Sequence, residues 1–121
     1  MSVKDMTNQQ LNDALRILLG WTKIGEHPDG HFGCWKTPEG KMSGHLTSGK
    51  EPDYCNDAAA SLEVQAAACE VHPNTYIRYL EKIKWGQSTG WKVSNRVVAQ
   101  LCNASPRERA EAAYMTLSSK N

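Results

Sequence analysis

Apolar residues recur at helical spacing in four stretches of the chain, with short extended runs between the first two. Leu11, Ala14, Leu15 and Leu18 form one stripe, which predicts a helix over residues 7–19. Thr7 and Gln10 stand at capping-box spacing, Met6 is placed to staple onto Leu11, and Gly20 occupies the place of a left-handed terminator. Residues 51–71 read as the stretch that organises the rest. Pro52 and Asp53 set a tight entry, Asn56 or Asp57 caps the first turn, and Ala58, Ala59, Leu62, Ala66 and Cys69 follow at helical spacing. Six alanines in this segment favour helix and permit close approach to a sheet, so Ala66 is expected to face one.

Between these helices, Trp21, Thr22 and Ile24 and then residues 31–35 read as antiparallel strands near 21–26 and 31–37. The HPDG turn at 27–30 joins them, TPEG at 37–40 turns again, and residues 42–50 read as a polar surface loop. In residues 76–83, Ile77, Leu80 and Ile83 fit a helix face, while TYIRY also suits a strand; a helix to about 83 is preferred. Residues 91–102 fit both periods, and a strand near 96–102 is chosen because it would complete a sheet. The last helix opens with a second capping box, Ser105 and Glu108, carries Pro106 at its first position, and lines one face with Ala110, Ala113, Tyr114 and Leu117. The expected architecture is α/β (α+β), a small and mainly antiparallel sheet sandwiched by helices.

The 121 residues suit one domain spanning 1–121, and a net charge of +1 excludes a wholesale polyelectrolyte binder. No apolar run reaches membrane-spanning length and the N-terminus lacks an apolar signal core, so a cytoplasmic protein without a membrane partner is expected. In that setting Cys34, Cys55, Cys69 and Cys102 read as thiols in preference to disulfides.

Candidate chemistry is sparse. His27, His31 and Cys34, with His45 and Cys55 farther on, offer metal-ligating atoms, but the chain has no C-x-x-C, and His31 and Cys34 would point to opposite faces of a strand. A turn histidine, a strand histidine and a core thiol explain them as well. Cys55 lies near a helix start, which lowers a thiol pKa, yet Asp57 opposes that and no nucleophile signature accompanies it. Glu63, Glu70, Glu108 and Glu111 read as solvated helix charges. Neither a metal, nor a cofactor, nor a catalytic residue is assigned.

Residues 82–96 hold Lys82, Lys84, Trp85, Trp91, Lys92 and Arg96, with no acid, around a Gly-Gln-Ser-Thr-Gly loop. Indoles stack on bases, cations neutralise phosphates, and such a loop offers N–H groups to an anion, although P-loop spacing is missing. Arg107 and Arg109 join the set because they open a helix, whose N-terminus attracts anions. The plainer reading makes the tryptophans loop anchors and the lysines a solvated face.

The early Gly20-Trp21 step, the segment bearing Pro52, Tyr54, Asn56 and Asp57, and the late Arg109, Ala110, Glu111 and Ala112 occur in an order that resembles small phage proteins with the phage ABA sandwich domain. Residues 72–96 fall outside that pattern. The resemblance implies an α-β-α sandwich and a phage or prophage origin, hence the host bacterial cytoplasm, and it implies no reaction. With the basic-aromatic segment, the expected function is a non-enzymatic phage accessory protein. It would bind a small anionic, nucleotide-type ligand and sequester a host defence signal. The alternative is an inhibitor or adaptor of a host protein anchored by Trp85 and Trp91. An exposed sheet edge would also permit a homo-oligomer.

Overall fold

The computed structural model describes residues 2–25, 34–39, 42–43, 52–86 and 95–119. A short 3-10 turn, Val3–Asp5, precedes α1 (Asn8–Leu18). Strands β1 (Thr22–Gly25), β2 (Cys34–Lys36) and β3 (Met42–Ser43) follow, and then α2 (Ala58–Val71), α3 (Pro73–Trp85), α4 (Asn95–Cys102) and α5 (Pro106–Ser118).

The described chain is mostly helical, which overturns the expected sheet sandwiched by helices. The strands form only a small antiparallel meander in the order β1-β2-β3, with Thr22 opposite Lys36 and Trp35 opposite Ser43. At two to four residues each, they are too short to cover a helical layer. The third strand is Met42–Ser43, inside the expected loop, whereas the segment expected as a strand near 96–102 is helix α4. Val97 and Val98 carry β propensity, but Val98, Leu101 and Cys102 also stand at helical spacing, and the helical period wins. Residues 76–83 are helical, as preferred. The HPDG turn and most of the 86–90 loop lie outside the described residues.

Helix α5, and not α2, is the hub, for it packs against α1, α2, α3 and the 3-10 turn. Ala110, Ala112 and Ala113 are fully buried on it, and Leu117 is nearly so. Methyl side chains let neighbouring helix axes approach closely on more than one side, so a polar-looking helix becomes the centre. The core cluster adds Leu11 and Leu15 from α1, Ala60, Val64 and Ala68 from α2, and Tyr76 and Leu80 from α3, and among the described residues it contains none from a strand. Ala66, expected against a sheet, is exposed. The α1 stripe is also rotated from expectation: Leu18 is exposed, while Asn12 and Arg16 are buried.

Local signals explain the helix starts. Thr7 and Ser105 each complete a reciprocal capping box, with Gln10 and Glu108 respectively, and Asp57 accepts from the Ala59 N–H at 3.0 Å. Gly20 and Gly86 adopt φ of +101° and +81° at the ends of α1 and α3, a region that disfavours any side chain. Pro73 opens α3 directly after His72 ends α2, which makes a corner between the two helices.

Candidate functional site

The basic side chains singled out by sequence divide into two groups. Arg107 and Arg109 turn inward. Arg107 Nε donates to Glu111 Oε2 at 2.6 Å and Nη1 to Asn8 Oδ1 at 2.8 Å. Its Nη2 donates to the carbonyls of Met6 at 2.8 Å and Val3 at 3.1 Å. Arg109 donates to Ser61 Oγ at 3.1 Å and to the Cys102 carbonyl at 3.3 Å. These guanidinium groups tie elements together and do not converge on a shared opening. Of the residues that carry the phage resemblance, Tyr54, Ala110, Glu111 and Ala112 are likewise buried.

Lys82, Lys84 and Trp85 lie on the last turn of α3. Lys84 Nζ sits 3.6 Å from Glu108 Oε1, and Lys82 Nζ lies 6.0 Å from the centre of the Tyr79 ring. The plainer role for both is to complement the negative C-terminal end of the helix. Trp85 is 38% exposed. Trp91 and Lys92 lie outside the described residues, and Arg96 contributes a backbone position in the first turn of α4.

Lys82 does reach a concavity. A groove of about 320 Å³ runs between the 3-10 turn, α3 and α5, lined by Val3, Lys4, Lys82, Ile83, Tyr114 and Met115, with Ser2 at its edge. Its walls are aliphatic, aromatic and thioether, and its described lining includes two lysines and no acidic residue. Sequence reasoning found Lys82 alone among these. Val3 and Lys4 precede the first helix, and the sequence pattern marks Tyr114 only as part of one face of the last helix. No local pattern joins three segments so far apart in the chain.

A second cleft, about 190 Å³, lies between α2, α3 and α4 and is lined by Cys69, Tyr76, Ile77, Leu80, Val98 and Leu101, with Gln65 and Cys102 beside them. Its described lining includes no cationic side chain. The Tyr76 hydroxyl donates to Gln65 Oε1 at 2.8 Å, and burial pushes the phenol pKa up.

Two thiols, Cys69 here and Cys55 at the start of the α2 segment, are not activated. Burial pushes the Cys69 thiol up. Burial also raises Cys55, against a lowering by Arg107, and its Sγ donates to the Asn8 carbonyl at 3.7 Å. Both remain protonated at neutral pH, the weak form of the nucleophile. His27, His31 and His45 lie outside the described residues. Among the described residues no three His, Cys, Asp or Glu side chains are grouped to hold a metal, and no helix is long and apolar enough to cross a membrane. Comparison with protein-family models, curated proteins and solved structures yields no match.

Proposed function

We propose that this chain is a non-enzymatic binding protein for a small anion borne on an apolar or aromatic body. The seat of the ligand is the groove between the 3-10 turn, α3 and α5. One observation carries the reading: Lys4 and Lys82 are both among the residues lining an apolar concavity of about 320 Å³, the low end of the range for small-molecule sites. Apolar walls bury the body and the ammonium groups select the charge. The raised thiol pKa values of Cys55 and Cys69 argue against either of these two cysteines as a nucleophile. The resemblance to phage proteins supplies the biological setting of this proposal, an accessory protein that withholds a host ligand.

Isothermal titration calorimetry against mononucleotides, cyclic nucleotides and organic carboxylates tests it. A member of the panel should bind, and Lys82→Ala should weaken it by an amount that shrinks as salt screens the charge. If nothing in the panel binds at millimolar concentration, the reading falls. A protein partner anchored on Trp85, 38% exposed at the end of α3, would then be the better account.

A further inference from the structure

Lys82 and Ile83 belong to the last turn of α3, and Tyr114 and Met115 lie toward the C-terminal end of α5. Helix C-termini present negative partial charge, the reverse of the N-terminal cradles that hold phosphates. Two lysines on an otherwise apolar lining, whose long side chains can bring an ammonium group to its rim, therefore suit one negative charge better than two or three.

One wall of the groove is also built differently from the others. Val3 and Lys4 belong to the 3-10 turn, which buries none of its residues fully and closes on itself through Asp5 N–H to the Ser2 carbonyl, Met6 N–H to the Val3 carbonyl and the Ser2 hydroxyl to Asp5 Oδ2 at 3.0 Å. Arg107 holds this turn. Its Nη2 grips the Val3 and Met6 carbonyls, its Nη1 grips Asn8, and Glu111 fixes the opposite side of the guanidinium. Val3 and Met6 add partial burial against the core cluster.

We propose that the groove is a site for an amphipathic monocarboxylate and is complete only while the N-terminal 3-10 turn is docked, with Arg107 as the positioning residue. The inference rests on the groove reading given above. Ligand binding and docking of the turn are then linked, and each must favour the other by the same factor.

The test titrates decanoate calorimetrically into the full chain, into Arg107→Gln and into a chain beginning at Met6. Amide exchange at Asp5 and Met6 is followed with and without decanoate. The full chain should bind decanoate and reject both adenosine monophosphate and decylamine. Both variants should bind about tenfold more weakly or worse, because apparent affinity falls with the fraction of chains whose wall is docked. Decanoate should slow exchange at both amides, and Arg107→Gln should speed exchange at Met6 without ligand. Equal affinity in all three proteins overturns the role of the turn and of Arg107 while leaving the groove reading intact. Binding of the nucleotide in preference to decanoate overturns the ligand class. If no probe binds, the groove reading itself falls, and unchanged Met6 exchange in ligand-free Arg107→Gln removes the clasp as well. Should circular dichroism show Arg107→Gln unfolded, the chain beginning at Met6, which retains the Arg107–Glu111 pair, carries the comparison.

Discussion

Replacing Ala113 with leucine drives an isobutyl group into the place where α5 meets its neighbours. Ala113 is fully buried, as are Ala110 and Ala112 beside it, and Leu11, Leu15, Val64 and Leu80 of the surrounding helices leave no exposed surface to give way. Overpacking of such a site costs about 1–3 kcal/mol. For a chain of this size each kcal/mol lowers Tm by roughly 3–6 °C, so a loss on the order of 3–18 °C is expected. Ala66→Leu is the control. It sits on α2 exposed to solvent, and surface substitutions usually stay within about 0.5 kcal/mol. Urea denaturation of both variants beside the parent supplies the comparison. If Ala113→Leu matches Ala66→Leu, α5 is not the packed hub described here.

Three further outcomes follow from local geometry. Thr7→Ala and Ser105→Ala should each cost about 0.5–2 kcal/mol by urea midpoint, since each hydroxyl accepts an N–H at 3.1 Å within its capping box. Asp53 should contribute to acid sensitivity. Burial raises its pKa, but hydrogen bonds from the Asn56 and Asn12 side chains and from the Cys55 and Asn56 amides outweigh that and hold it below 3.8. A depressed carboxylate stabilises the fold above its unfolded-state pKa and loses that contribution as pH falls through the folded-state value, so Asp53→Asn should flatten the decline in urea midpoint below about pH 4. Leu15→Ala should cost about 2–5 kcal/mol in the same assay, because the side chain is fully buried and leaves a cavity.

The helix starts were legible because their information is local. Thr7 with Gln10 and Ser105 with Glu108 are each three residues apart, and the capping geometry follows from that spacing. The same holds for Asp53, whose side chain and carbonyl accept hydrogen bonds from Cys55, Asn56 and Asp57 in the tight entry expected of Pro52-Asp53. The hub was not legible. Glu111 and Thr116 are buried on α5 along with its alanines, so the helix shows no single apolar stripe to mark it. A helix enclosed on several sides loses the one-sided pattern by which sequence reveals burial. Residues 95–102 were misread because their valines fit strand and helix alike, and only helical packing in three dimensions decides between them. The sheet was overestimated for a related reason: two extended runs and a turn predict a hairpin, but not whether helices will cover it. As for the site, Lys82 was visible as part of a basic cluster, whereas Val3, Tyr114 and Met115 join it only once the N-terminal turn lies along α5.

The most direct measurement of the central claim is the Met115 ε-methyl resonance during a titration with decanoate. Met115 lines the groove on α5, across from Ile83 on α3. Its methyl signal should shift and saturate with the calorimetric affinity, the Ile83 methyl signals should move with it, and Lys82→Ala should displace both curves to higher ligand concentration. Binding that leaves Met115 and Ile83 unmoved would place the ligand elsewhere and contradict the account.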